Sequence, residues 1–252
     1  MRLTNKVAII TGAGSGIGRT SAYLFAKEEA KIVVADVNNP GGEETVATIK
    51  KSGGEAIFVH TDVTMASEVE HLIKAGKDKF GKIDIVLNCA GIWGAPGENP
   101  IENIDPSLWD RVYAVNVRSM FFTTKYVVTE MRKARGGVII NVASLAAIRP
   151  AGPRNAAYKS SKGAVIALTK ALALELASDK IRVNCINPFM TETPMLKDLQ
   201  LTEEILKTVV SNAPLGRIVN PEDVAYAALY LASEESSMLT GACINVDAGV
   251  GV

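Results

Sequence analysis

The sequence predicts an α/β protein with a doubly wound sheet of about seven parallel strands and helices on both faces. Three observations lead to this prediction. Short β-branched runs alternate with longer amphipathic segments along the whole chain. The runs are almost continuously apolar, as in strands that are covered on both faces. Strands that alternate with helices form parallel sheets through crossover connections.

The first half of the chain alternates strands and helices regularly. We expect strands at residues 7–10, 31–36, 56–59 and 83–87, with helices between them at about 16–29, 42–51 and 65–80. Glycines follow the second and third of these helices, as is common just beyond a helix C-terminus.

The second half continues the pattern with longer helices. We expect helical stretches over about 109–131, a strand at 138–142, an Ala/Leu-rich helix at 156–177, a strand at 181–186, helices at 201–211 and 221–233, and a last strand at 243–246. No linker, repeat or low-complexity segment interrupts the pattern, so a single domain over residues 1–252 is expected.

Composition narrows the class of protein. Of 252 residues, 48% are hydrophobic, which is enough for one large core. The 27 basic and 27 acidic residues balance, which argues against a nucleic-acid partner. The absence of a signal-peptide pattern and of an apolar run of about 20 residues predicts a cytoplasmic protein with no membrane partner. The cysteines Cys89, Cys185 and Cys243 are far apart and resemble buried core residues, and the two histidines have no cysteine at ligand spacing, so no metal site is expected.

A glycine-rich loop lies between the first strand and the first helix. Residues 11–18 read Thr-Gly-Ala-Gly-Ser-Gly-Ile-Gly, a Gly-x-x-x-Gly-x-Gly spacing. Such glycines let the backbone approach a pyrophosphate, and the helix N-terminus offers free N–H groups to it. A plain tight turn is the alternative, but the strand–loop–helix context favours nucleotide binding. The expected contacts are Gly12, Ser15, Gly16, Ile17 and Gly18.

Asp36 closes the second strand and predicts which dinucleotide binds. An acidic residue there accepts hydrogen bonds from the adenosine ribose hydroxyls, and its charge repels a 2′-phosphate. Ser15 and Val37 supply no cation to offset that repulsion, so NAD is predicted rather than NADP. Asp62 and Val63 follow the third strand, where Asp62 would bond the adenine amino group.

Four polar residues predict an acid/base site. Tyr158 and Lys162 are four residues apart and share one helix face. A nearby ammonium favours phenolate, which would make the tyrosine a usable acid/base near neutral pH. Ser144 follows the fifth strand, where ligands bind in open sheets, and Asn116 interrupts a helical stretch that it could distort. Taken singly, Tyr158 and Lys162 could be a surface pair, Ser144 a helix cap and Asn116 a solvated side chain.

Together these motifs resemble the short-chain dehydrogenase/reductase family over essentially the whole chain. The matching residues are the glycine motif at 11–18, Asp36, Asp62, Asn88-Cys89-Ala90-Gly91, Asn116, Ser144, Tyr158, Lys162 and Asn187-Pro188. The resemblance implies a single Rossmann-type domain with a cofactor half over about 1–143 and a catalytic and substrate half over about 144–252.

The resemblance also implies roles. Tyr158 would be the general acid/base, and Ser144 would hold the substrate oxygen. Lys162 would bond the nicotinamide ribose and lower the pKa of Tyr158, and Asn116 would anchor a water in a proton relay. Asn88, Ala90 and Gly91 would support the adenosine ribose and the central sheet. Further cofactor contacts would come from Pro188, Thr191 and Thr193, with Thr193 at the carboxamide or phosphate.

Two departures from the family pattern concern the pocket. Phe189 stands where the family commonly has glycine, and Cys89 where it often has asparagine. Arg149 and Arg154, in the loop between Ser144 and Tyr158, could recognise an anionic substrate group or could simply be solvated. An apolar wall is expected from Trp93, Phe189, Met190, Met195 and Leu196, with a lid over 191–211.

The leading hypothesis is an NAD-dependent oxidoreductase that moves a hydride between nicotinamide and a small-molecule secondary alcohol or ketone. One alternative is a 3-oxoacyl-thioester (acyl carrier protein) reductase, a branch with the same motifs that normally favours NADP. Another is a non-catalytic nucleotide-sensing protein on the same fold. The small residues of the long helix and the last strand, through the family resemblance, imply a homotetramer.

Overall fold

The computed structural model describes residues 1–94, 100–150, 155–198 and 201–252. These residues form one sheet of seven parallel strands in the order β3-β2-β1-β4-β5-β6-β7. The strands are β1 Val7–Thr11, β2 Lys31–Asp36, β3 Ala56–His60, β4 Ile85–Asn88, β5 Gly137–Val142, β6 Ile181–Pro188 and β7 Cys243–Val246. The sequence prediction of a doubly wound parallel sheet is confirmed.

Helices connect the strands. They are α1 Gly16–Lys27, α2 Asn39–Lys51, α3 Ala66–Phe80, α4 Pro106–Tyr113, α5 Ser119–Lys133, α6 Ala156–Leu176, α7 Pro194–Asp198, α8 Glu203–Ser211 and α9 Pro221–Ala232. A π-helical turn, Ala114–Arg118, joins α4 to α5. Short 3₁₀ turns occur at Ile101–Asn103, Leu145–Ala147, Ala177–Asp179 and Glu234–Ser236.

Both faces of the sheet are covered. Successive residues of a strand point to opposite faces, and Ile10 packs with Phe25 of α1 and Leu229 of α9. Its neighbour Ile9 packs on the other face, with Leu72 of α3. The strand order reverses at β1, which pairs with β2 on one side and β4 on the other. Ligands bind at such a reversal, beyond the carboxyl ends of the strands.

Several predicted boundaries were wrong by a few residues, and end groups explain two of them. The second helix begins at Asn39 rather than 42, because the Asn38 side chain accepts a hydrogen bond from the Gly41 N–H at 3.2 Å and Pro40 suits a first turn. Asp105 likewise caps α4 through the Ser107 N–H at 2.8 Å, so that helix begins before 109. The stretch predicted as helical over 109–131 is divided by the π turn.

In the described parts of the chain, no helix combines the length and the apolar character that crossing a bilayer requires.

Candidate active site

The glycine loop lies at the carboxyl end of β1, where the strand order reverses. Gly12 and Gly16 adopt φ of +66° and +50°, a left-handed conformation that side chains with a Cβ rarely take. A Cβ at Gly18 would overlap the carbonyl oxygen of Gly12. Each position of the motif therefore needs glycine, for its backbone angle or for close packing of α1 on the loop.

The N-terminus of α1 faces outward from this loop. Its N-cap, Ser15, makes no side-chain capping hydrogen bond, so the first-turn N–H groups keep their capacity for an anion. Thr193 lies over the same point, because its Cγ2 would be 3.1 Å from a Cβ at Gly16. The structure thus brings Thr193 to the glycine loop, and its contact with the cofactor stays a prediction. Thr191 is buried, and its hydroxyl donates to the Phe189 carbonyl at 2.8 Å.

Asp36 is joined to the loop by hydrogen bonds. Its Oδ2 accepts from the Gly14 N–H at 2.8 Å, and its Oδ1 accepts from the Asn38 N–H at 2.9 Å. Arg19, a residue that the sequence prediction passed over, donates to the carbonyls of Gly14 and Gly41 at 2.5 and 3.2 Å. The position of the Asp36 carboxylate is therefore fixed from two sides, by the glycine loop and by the segment that precedes α2.

The third and fourth strands end beside the same cleft. Asp62 Oδ1 accepts from the Thr64 N–H at 2.9 Å and from the Thr64 hydroxyl at 2.7 Å. Val63 is buried, while Ile17, Ala90 and Gly91 are half-buried along the cleft. Pro188, the last residue of β6, pairs with Val246.

Asn88 connects the end of β4 to the neighbouring strand and helix through its side chain. Its amide donates to Asn141 Oδ1 at 2.8 Å, and its own oxygen accepts from the Thr123 hydroxyl at 2.8 Å. Asn141 in turn donates to Thr169 at 2.9 Å. All four side chains are buried, so this ladder ties β4 and β5 to α5 and α6. The side chain thus supports the central sheet, as the resemblance implied, and a contact between Asn88 and the cofactor stays a prediction.

Asn116 clamps the segment that follows β4. It lies in the π turn, so the predicted distortion of the helix is confirmed. Its Oδ1 accepts from the Ile92 N–H at 2.9 Å, and its Nδ2 donates to the Ile92 carbonyl at 3.0 Å and to Ser161 Oγ at 3.0 Å. Both amide hydrogens are used inside the protein, which makes the side chain a clamp on Ile92. Its role in a water relay stays a prediction.

Ser144 and Tyr158 meet at the carboxyl end of β5. Asn155, with φ +67°, caps α6 by accepting from the Tyr158 N–H at 3.4 Å, which points the first turn of the helix toward the strand end. The Ser144 hydroxyl hydrogen-bonds the Tyr158 side chain, and its oxygen also accepts from the Ala146 N–H at 3.2 Å. Only 8% of the Tyr158 surface is exposed.

Lys162 lies behind the phenol. It is 4% exposed, its Nζ donates to the Val142 carbonyl at 2.8 Å, and it stands 5.7 Å from the centre of the Tyr158 ring. Burial lowers the pKa of its ammonium to about 8, partly opposed by Cys89. The sequence thus predicted correctly that Tyr158 and Lys162 share one face of α6.

The pKa of Tyr158 does not follow the prediction. Burial raises it above its ordinary value of 10, and the Ser144 hydrogen bond offsets only part of that. The expected lowering by Lys162 is wrong for the chain by itself, because desolvation of the phenolate outweighs the other influences. The tyrosine is accordingly a protonated, buried hydroxyl.

Cys89 borders the cleft between the two ends of the site. Burial raises the pKa of its thiol to about 12, while Lys162 lowers it and Asp36 raises it. Its side chain packs with the core cluster on the α1 and α9 side of the sheet. It is a neutral thiol, as expected of a core variant.

The predicted pocket residues lie in different surroundings: beside Tyr158, in the core and at the surface. Trp93 packs on Tyr158, with ring centres 4.5 Å apart and an angle of 39° between planes, a contact that no sequence pattern indicated. Phe189 packs with the core cluster that contains Ile186 and Val219. Arg149 is exposed and donates to the Val252 carbonyl at 3.0 Å, while Arg154 lies outside the described residues.

Comparison with known proteins places this geometry in a family. The family model described as enoyl-(acyl carrier protein) reductase matches residues 12–251. Borneol dehydrogenase of Lavandula x intermedia is 41% identical over 251 residues, covering 100% of this chain and 92% of its own. Cyclopentanol dehydrogenase of Comamonas testosteroni is 36% identical, covering 98% of each chain. The 3-oxoacyl-[acyl-carrier-protein] reductase of Thermotoga maritima is 38% identical, covering 99% of each.

Solved structures agree. The 3-ketoacyl-(acyl-carrier-protein) reductase from Brucella melitensis, complexed with NADH, superposes with a TM-score of 0.92 at 39% identity and covers 99% of this chain and 100% of its own. A 7α-hydroxysteroid dehydrogenase, complexed with NADH and a 7-oxo bile acid, gives 0.93 at 36% identity, covering 98% and 95%. The chain therefore belongs to the short-chain dehydrogenase/reductase family of oxidoreductases.

Proposed function

We propose that this protein is an NAD-dependent oxidoreductase that interconverts a secondary alcohol and a ketone, with Tyr158 as the general acid/base. The observation that carries the proposal is the hydrogen bond between Ser144 and a buried Tyr158, with Lys162 behind the ring. Two hydroxyls that converge at the carboxyl end of a strand can bind one carbonyl oxygen from two directions. That is the arrangement a carbonyl needs to gain a proton as it gains a hydride.

The residues present fit a nicotinamide dinucleotide. Two features suit a pyrophosphate. A Cβ at the glycines of the loop would strain or block it, and the N-terminus of α1 has no side-chain cap. The N–H groups of residues 16–18 would hold the phosphates, Asp36 the adenosine ribose and Lys162 the nicotinamide ribose. When bound, the nicotinamide supplies or accepts the hydride.

Tyr158 performs the proton transfer. Burial raises the pKa of Tyr158, which favours the neutral hydroxyl as the group that donates its proton from Oη to the carbonyl oxygen during reduction. Ser144 orients that oxygen by donating a hydrogen bond of its own to it. In the oxidation direction Tyr158 must first lose its proton, and the positive charges of Lys162 and of an oxidised nicotinamide favour that loss.

Asp36 supports the choice of NAD. Its carboxylate is fixed by Gly14 and Asn38, so it cannot turn away from a 2′-phosphate without breaking both hydrogen bonds. The two solved relatives described above contain NADH.

Relatives suggest the substrate class. Two of the relatives are named after cyclopentanol and borneol, which are cyclic secondary alcohols. We extend that class of substrate to this chain. A 3-oxoacyl-thioester reductase is the second candidate, favoured by the Thermotoga and Brucella relatives. A nucleotide-sensing role is disfavoured because all four predicted catalytic residues are present.

A homotetramer of a cytoplasmic enzyme completes the proposal. Leu174 on α6 and Phe121 on α5 are 84% and 50% exposed, although both are large and apolar. Such side chains are typical of a surface that a second copy covers. The three free cysteines suit a reducing compartment.

The test uses Tyr158→Phe. Loss of the hydroxyl should reduce turnover of cyclopentanol with NAD by about 10²–10⁴-fold and should leave the Kd for NADH within a few-fold. Stopped-flow absorbance measures the first quantity and NADH fluorescence titration the second. Turnover by Tyr158→Phe at the wild-type rate would remove Tyr158 from the chemistry.

A further inference from the structure

We propose that Trp93 is a specificity-determining residue, whose indole forms one wall of the substrate site and selects a compact, neutral, cyclic flank beside the carbonyl carbon. The inference rests on the proposed function, because it takes the reaction to occur at the Tyr158 hydroxyl. The reaction at Tyr158 accepts any secondary alcohol or ketone in principle, and the inference assigns the selection among them to the Trp93 side chain.

The contact between the two rings carries this inference. Their centres are 4.5 Å apart at an angle of 39°, which is within the range of direct aromatic packing. Tyr158 itself is almost fully buried, and Trp93 is half-buried. Because the indole contacts the Tyr158 ring, a ketone whose oxygen is bound by Tyr158 and Ser144 would have the indole within reach of one of its substituents.

The indole is held in place by its neighbours in the chain. Ile92 is clamped at both its N–H and its carbonyl by the Asn116 side chain. Gly94, on the other side, has φ +111°, and a Cβ there would stand 3.4 Å from Val112. Asn116 thus fixes the backbone just before Trp93, and the ring contact with Tyr158 places the indole beside the phenol.

The chemistry of the wall sets the class of flank. An indole face is flat and apolar, and it gains contact area from an aliphatic ring at low entropic cost to either partner. Two cations of the site region already have acceptors: Lys162 donates to the Val142 carbonyl, and Arg149 donates to the Val252 carbonyl. A carboxylate placed beside the indole would lose water without gaining either cation.

Activity ratios test the wall. We compare kcat/KM for cyclopentanol, borneol and the anionic 2-hydroxybutyrate in wild type, Trp93→Phe and Trp93→Ala. Wild type should favour cyclopentanol over 2-hydroxybutyrate. Trp93→Ala should lose on the order of 10–100-fold for cyclopentanol, mostly in KM, as expected for removing a large apolar contact. It should lose less for the bulkier borneol, and Trp93→Phe should stay near wild type.

Fluorescence gives a readout that does not depend on turnover. The chain has two tryptophans, and Trp109 stacks instead on Tyr113 at 5.2 Å. In Trp109→Phe the emission comes from Trp93 alone, and cyclopentanone added to the NAD⁺ complex, where both partners are oxidised, should change it. The matched variant Trp93→Phe should show no change at the same cyclopentanone concentration.

The outcomes separate the two proposals. If the wild-type protein oxidises cyclopentanol, two results would each overturn the assignment of Trp93. One is an unchanged ratio of substrate activities in Trp93→Ala, and the other is a Trp93 fluorescence that does not respond to cyclopentanone. Absence of turnover with every alcohol and both coenzymes would overturn the proposed function instead. In that case a Trp93 response to cyclopentanone would still support the wall, and its absence would overturn it.

Discussion

Replacing Lys162 by methionine should raise the stability of the cofactor-free protein at neutral pH. Burial lowers the pKa of this ammonium from an ordinary 10.5 to about 8. At about 1.4 kcal/mol for each pH unit, keeping the lysine charged and buried costs roughly 3 kcal/mol below pH 8. Methionine removes that cost but leaves the Val142 carbonyl without its donor, which costs about 1–3 kcal/mol. We expect a net gain of about 0–2 kcal/mol.

The pH dependence is the sharper part of this prediction. Between about pH 8 and 10.5 the unfolded chain binds one more proton at Lys162 than the folded chain, so wild-type stability rises with pH relative to the variant. The difference should be constant between pH 6 and 7.5 and should then shift toward wild type by up to roughly 3 kcal/mol. Urea unfolding at matched protein concentration measures both ranges. A difference that is flat to pH 10.5 would refute the reasoning.

Two further predictions concern the glycine loop and Asp36. Gly18→Ala should abolish NADH binding and lower the free energy of unfolding by at least about 2 kcal/mol, because the added Cβ overlaps the Gly12 carbonyl. Calorimetry measures the stability, and titration measures NADH binding. The control is Gly163→Ala in α6, where a Cβ has open space, and this variant should be neutral or stabilising in both assays. Asp36→Ala should weaken NADH and reduce discrimination against NADPH, while Asp36→Asn should reduce the discrimination but keep more NADH affinity by retaining one acceptor for the loop; unchanged preference in both variants would remove Asp36 from the site.

Most of the fold could be predicted because the strands of this sheet are apolar on both faces. Runs such as residues 31–36 are distinguishable from helices by their β-branched residues alone. The boundaries were less accurate, since they depend on single capping groups such as Asn38 and Asp105. The π turn at Asn116 was expected only as a distortion, and its form follows from a contact with Ile92, 24 residues earlier.

The candidate site could be predicted where its residues lie close in sequence or at strand ends. Tyr158 and Lys162 share a helix face, and Ser144 follows a strand, so their meeting was foreseeable. Three contacts of the site join residues that are distant in sequence: Trp93 packs on Tyr158, Arg19 donates to the Gly41 carbonyl, and Asn88 donates to Asn141. The raised pKa of Tyr158 depends on burial in three dimensions, which spacing along the chain does not report.

Direct hydride transfer is the central claim, and an isotope label tests it most directly. Cyclopentanol carrying deuterium on its carbinol carbon is incubated with wild-type protein and NAD, and the NADH formed is analysed by mass spectrometry, with Tyr158→Phe as the blank. We predict that NADH gains one deuterium per turnover and that the blank forms almost none. NADH formed without deuterium, or formed equally by Tyr158→Phe, would contradict the proposed chemistry.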